Sequence, residues 1–166
     1  MPLNEDHLRE IGRIAIAFNS LERRAQFAVQ ALMGDDTPVV VWQALTVGEP
    51  FDRLTFRIRT LARIRLPYPD FLSDLEAWIR EAKKVQEERN RVLHTGWISF
   101  SEQPQDSDVA TALRQTTRNT YGELRDYTPR DLYEIAQRIS EVERRLRTLT
   151  SRMRQLPMSD SYPEEE

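Results

Sequence analysis

The chain of 166 residues contains no cysteine, so disulfides and thiol chemistry are excluded and a reducing compartment is allowed. It has only two histidines, His7 and His94. With so few nitrogen ligands and no sulfur ligands, a zinc-type metal site is not expected, and no cofactor is implied. It has 5 glycines and no Gly-rich phosphate loop. No apolar run approaches the length of a membrane span, and "MPLNEDHLRE" lacks the basic-then-apolar pattern of a secretory signal. The expectation is a soluble cytoplasmic protein without a membrane partner. Net charge is −3, so no global field draws the chain toward nucleic acid, and any such binding has to be local.

What the chain does have is charge and helix-forming residues. Charged residues make up 31% of the sequence and hydrophobic residues 39%, with Leu, Arg and Glu frequent, which favours helices over a sandwich or barrel. A first helix is expected from about Asn4, a good N-cap, to Met33, closed by Gly34. Its apolar row reads Leu8, Ile11, Ala15, Phe18, then Glu22, then Ala25, Val29 and Leu32. Thr37-Pro38 can open a short helix, with Thr37 as cap, although "VVVW" also suits a strand. A second long helix is expected from about Pro50 to Arg65, carrying Phe51, Leu54, Ile58 and Leu61, until "LPYPD" breaks it.

A third helix is expected from about Phe71 to Thr95, ended by Gly96. Its row reads Leu72, Leu75, Ile79, Ala82, then Gln86 and Arg89, then Leu93. "WISF" and "TALRQTT" can pair as a hairpin around "SEQPQDSD". "TPRD" at residues 128–131 supplies a cap, a proline and an acidic third position. From it a fourth helix carries Leu132, Ile135, Ile139, Val142, Leu146, Leu149, Met153 and Leu156 as one seam. The expected fold is all-α: a four-helix bundle with a β-hairpin or irregular insertion between the third and fourth helices, forming one domain over 1–156. Residues 157–166 read as a disordered acidic tail.

Polar residues that interrupt the apolar rows carry the functional question. A lone charge in an apolar interior costs several kcal/mol, about 2 or more, so Glu22 and Arg89 could be paired across helices as a structural salt bridge. His94 follows Arg89 by five residues, a turn of about 140° and a rise of about 7.5 Å on a straight helix. The two side chains therefore share no face unless the helix end distorts or a second element brings them together. Asn90 and His94 do share a face. Taken alone, His94 reads as a surface residue complementing the helix dipole. His7, in the first turn beside Glu5 and Asp6, reads as exposed. Trp42 and Trp78 read as core aromatics, and Trp97 as packing under the helix end.

The string "RNRVLH" nevertheless has a specific look: an arginine, a polar residue, a short spacer and a histidine, late on a long helix. It resembles the R-x4–6-H motif of HEPN domains. The long first helix with "FNSLE", the Trp soon after the motif, the insertion and the Thr-Pro opening of the last helix agree with it, over roughly residues 4 to 156. The resemblance implies a metal-independent endoribonuclease, a toxin or anti-phage effector acting as a homodimer with RNA in a cleft between subunits. A cognate antitoxin or regulatory protein would be a further partner. It assigns Arg89 and His94 as catalytic residues, with Asn90 as the motif's polar residue. On that reading Glu22 holds Arg89 in place. The family also includes catalytically inactive helical dimers that bind a protein or a nucleotide, and that alternative stays open. The chemistry suits these residue types. RNA supplies its own nucleophile, the 2′-hydroxyl, so cleavage needs proton transfer, which imidazole performs, and charge stabilisation, which a guanidinium fork provides.

Overall fold

The Asn4 carboxamide caps the first helix as its position suggests: Oδ1 accepts a hydrogen bond from the His7 backbone N–H at 3.0 Å. A computed structural model describes residues 3–34, 36–98, 109–116 and 119–159, with no side-chain description for 114–123. The element order is α1 (Glu5–Met33), α2 (Val39–Thr46), α3 (Phe51–Arg65), α4 (Pro69–Leu93), β1 (Gly96–Ile98), β2 (Ala110–Thr116), β3 (Asn119–Tyr127) and α5 (Pro129–Gln155). The protein is thus mostly helical with a small antiparallel sheet in the order β1-β2-β3. Among the described residues, no helix is long and apolar enough to cross a membrane.

Most boundaries follow local chemistry. Gly34 adopts φ +96°, a left-handed conformation that glycine takes without steric cost, and its N–H bonds back to the Gln30 carbonyl to finish α1. Thr128 and Asp131 form a reciprocal capping box at the start of α5. The Thr128 N–H donates to Asp131 Oδ2 at 2.8 Å, and the Asp131 N–H donates to Thr128 Oγ1 at 3.2 Å. These bonds, the backbone one foremost, hold the Asp131 carboxyl below its ordinary pKa. The "VVVW" segment is helical, but Thr37 is not its cap. Pro38 occupies the cap position, and the Thr37 hydroxyl donates instead to the Met33 carbonyl at 3.1 Å.

The insertion is larger than a hairpin. β1 pairs with β2 (Gly96 opposite Leu113, Ile98 opposite Thr111), as the pairing of "WISF" with "TALRQTT" anticipates, but β2 also pairs with β3. The third strand ends at Tyr127, opposite Ala110. The "SEQPQDSD" connection lies outside the described residues, as do residues 160–166 of the acidic tail. Pro157 and Ser159 are tied down: the Pro157 carbonyl accepts from Tyr68 Oη at 2.9 Å, and the Ser159 N–H donates to the Arg65 carbonyl at 2.8 Å.

The described residues gather into two compact units, and α1, α4 and α5 each contribute to both. One unit takes Met1–Asn19 and Lys84–Ser140. Its core holds Ile14, Phe18, Val85, Val92, Ala110, Ala112, Leu132 and Ile139. The other takes Ser20–Lys83 and Glu141–Glu166. Its core holds Leu21, Leu54, Ile58, Phe71, Leu75, Trp78, Leu146 and Met153. Trp78 is fully buried and its Nε1–H donates to the Val142 carbonyl at 2.9 Å, satisfying the indole.

The seam expected on the last helix is buried from Leu132 through Met153, with Leu156 half-buried. The expected rows of α1 and α4 hold at Phe18, Ala25, Val29 and Leu32 and at Leu75, Ile79 and Ala82, which are buried, and shift toward the helix ends. On α1 the buried row starts His7, Glu10, Ile14, Phe18 and Leu21, while Leu8 is exposed and Ile11 half-buried. On α4 it is Phe71, Leu75, Trp78, Ile79, Ala82, Val85 and Val92, which leaves Gln86 and Arg89 half-buried on its margin. Trp42 is half-buried rather than a core residue.

α2 is unusual. It has no charged residue and is apolar nearly all round, yet only Thr46 on it is buried, and Val39, Val40, Val41 and Leu45 are exposed.

Candidate active site

The last turn of α4 places the motif. His94 lies one residue beyond the helix, but its N–H still bonds to the Asn90 carbonyl at 3.0 Å, so the chain keeps its helical path to that point. Its side chain is exposed, and that of Arg89 is half-buried. The long Arg89 side chain crosses the angular gap that ideal geometry opens between the two positions: Arg89 Nη1 lies 2.9 Å from His94 Nε2. The same nitrogen donates to Asn90 Oδ1 at 2.9 Å. An arginine nitrogen only donates, so in this contact His94 Nε2 stands as the acceptor. The three residues singled out as Arg89, Asn90 and His94 are therefore one hydrogen-bonded group.

Arg89 is also held from the far side. Its guanidinium carbon sits 5.0 Å from the centroid of the Phe18 ring, a cation–π distance, and Phe18 itself is buried. Arg89 Nε is buried without a hydrogen-bond partner, as is Thr95 Oγ1 at the other end of the motif.

The residues flanking the motif are fixed by other elements of the same unit. Glu88 accepts from Arg138 at 2.8 Å. Arg91 is hydrogen-bonded to Tyr127, whose phenol is pushed above its ordinary pKa by burial, against the opposing effect of Arg125 and Arg91. Tyr127 also meets Trp97 edge-on at 5.8 Å, which places that tryptophan against the sheet. A hollow of about 270 Å³ is lined by Arg125, Asp126, Tyr127, Asp131, Glu134 and Arg138. Three acids against two bases do not suit it to phosphate.

His7 is not the exposed residue that its acidic neighbours suggest. It is fully buried. Its Nδ1 lies 2.7 Å from Asn4 Oδ1, and its Nε2 lies 3.1 Å from the Tyr127 carbonyl, 120 residues away. Asn4 Oδ1 already accepts the His7 backbone N–H, so both ring nitrogens face oxygen acceptors. Glu22, expected to steady Arg89, is half-buried on α1.

Phe18 is the contributor that sequence reading did not assign to the site. It stood in the expected apolar row, and the only available signal was the presence of a guanidinium on another helix needing a flat partner. Among the described residues, no three His, Asp or Glu side chains gather as metal ligands would. No family model, curated protein or solved structure matches this chain.

Proposed function

We propose that the protein is a metal-independent endoribonuclease of HEPN type, with α1, α3, α4 and α5 as the helices of a HEPN-like bundle and Arg89 and His94 as its catalytic pair. The single observation that carries this reading is the 2.9 Å approach of Arg89 Nη1 to His94 Nε2. It supports a reading in which a permanent cation and an imidazole meet an incoming phosphodiester together.

The proposed reaction uses these groups in order. The phosphate takes over the guanidinium, whose fork matches two non-bridging oxygens. That releases His94 Nε2, which then has its lone pair available for the 2′-hydroxyl proton. The 2′ oxygen attacks phosphorus, the bond to the 5′ oxygen breaks, and that oxygen is protonated from solvent, which the exposed ring admits. The products are a 2′,3′-cyclic phosphate and a 5′-hydroxyl end. Arg89 stabilises the charge that grows on the phosphorus oxygens, a contribution of about 3 kcal/mol for a single well-placed donor. Asn90 keeps the fork aimed, and the Phe18 face limits its swing. The reading includes a homodimer in which two such motifs flank one cleft, and a role as a toxin or defence effector with a cognate inhibitor.

The test is incubation of purified protein with RNA in excess chelator. Cleavage should continue, leave cyclic phosphate ends, and vanish in both Arg89→Ala and His94→Ala. RNA left intact by the folded wild-type protein would overturn the reading in favour of a non-catalytic helical module.

A further inference from the structure

The last half of α5 holds charge that the overall balance conceals. From Glu141 to Gln155 it carries five arginines (144, 145, 147, 152 and 154) against two glutamates, in a chain whose net charge is −3. Together with the part of α1 in the same unit, this stretch encloses a groove of about 450 Å³, within the size range of small-molecule sites. Arg24, Phe27, Arg147, Ser151, Arg154 and Gln155 line it.

Its charge is only partly neutralised. Glu143 accepts from Arg24 Nε at 3.0 Å and from Arg147 Nη2 at 3.4 Å, so one nearly buried carboxylate serves two guanidiniums. Among the described residues, Arg154 makes no ion pair. The wall is partly flat and apolar. The Phe27 ring is 36% exposed, the Arg24 guanidinium lies 5.9 Å from its centroid, and Trp42 stands 6.5 Å away at a tilt of 44°.

We infer that this groove binds a nucleotide unit, with the phosphate between Arg147 and Arg154 and the base against the Arg24–Phe27 face. Guanidinium forks match phosphate oxygens, and planar guanidinium and aromatic faces stack on bases of any sequence. An inorganic anion uses only half of such a groove, and an apolar ligand leaves the arginines unsatisfied. The unit is either a free mononucleotide or one residue of a single-stranded RNA. The inference does not rest on the chemistry at Arg89 and His94, since none of the groove residues belongs to that group.

The test uses full-length His94→Ala protein, so that RNA stays intact, with AMP, a fluorescent ten-nucleotide oligouridylate and inorganic phosphate as probes. The nucleotide probes should bind. Arg147→Gln combined with Arg154→Gln should weaken binding at least tenfold. For the oligonucleotide it should also reduce the salt-dependence slope by about 0.7, the share of the one phosphate no longer neutralised. Both arginines are solvent-facing, and circular dichroism verifies that the variant folds. Phe27→Leu should weaken AMP and leave inorganic phosphate unchanged. Displacement of the oligonucleotide by AMP assigns the groove to a free mononucleotide; oligonucleotide binding that AMP does not displace assigns it to a strand. Absence of nucleotide binding, binding indifferent to the double substitution, or inorganic phosphate matching AMP would each overturn the inference. Binding is read in His94→Ala protein and cleavage separately in protein that keeps His94, so failure of one leaves the other standing.

Discussion

Arg89 and His94, about 140° apart on an ideal helix, meet at 2.9 Å because the arginine is long enough to lie across the end of α4 while Phe18 and Asn90 steer it. The contact depends on planar geometry as well as charge. Arg89→Lys keeps the cation and loses the fork, so RNA cleavage should fall at least 100-fold, with little change in thermal midpoint. Initial rates and melting curves on one preparation check it. A lysine variant that cleaves at wild-type speed would mean that any cation suffices there.

His7 should matter for stability rather than for catalysis. Replacing it by leucine leaves Asn4 Oδ1 without one of its two donors and the buried Tyr127 carbonyl without its donor. The expected cost is about 2 kcal/mol, read as a lower urea midpoint with an unchanged slope. No shift in midpoint would place the ring in water.

The box that opens α5 gives a pH dependence with a definite sign. The Asp131 carboxyl is held below its unfolded value, so its contribution is fully present above the unfolded carboxylate range. It is lost as pH falls through the lower, folded value. Asp131→Asn should therefore flatten the acid limb of stability against pH. At neutral pH, Thr128→Ala should cost about 1 kcal/mol. Chemical denaturation at several pH values measures both.

Trp78 separates volume from hydrogen bonding. Trp78→Phe removes the donor to the Val142 carbonyl and part of the ring, for about 1–2 kcal/mol. Trp78→Ala opens a cavity in a fully buried site and should cost about 3–5 kcal/mol. Equal losses in the two variants would show that the indole nitrogen carries the whole effect.

The helix ends were largely written in local residues. Asn4, Gly34, Thr128 with Asp131, and the apolar seam of α5 needed no distant information. The features that escaped depend on partners far along the chain. His7 looks exposed until β3 brings the Tyr127 carbonyl to it. The third strand itself has too mixed a pattern to declare itself. The rows of α1 and α4 keep their expected course through Phe18, Ala25, Val29 and Leu32 and through Leu75, Ile79 and Ala82, and depart from it toward the helix ends, where apolar neighbours allow other choices and only the packed partner decides between them. For the candidate site, the residue types and their order were legible, whereas the support from Phe18 was not. The basic groove was missed for the same reason: its charge lies on residues 24 and 147–154, and no window of sequence contains both.

Each unit is assembled from two chain segments separated by more than fifty residues of sequence. During synthesis the first nineteen residues must therefore wait, solvated, until the stretch reaching residue 140 has been made, and the second unit waits longer for its share of α5. Neither unit can mature while the ribosome is still early in the message. Such long waits raise the mean separation of contacting residues and slow folding. They also leave half-finished amphipathic helices with bare apolar stripes, a condition in which newly made chains depend on chaperones.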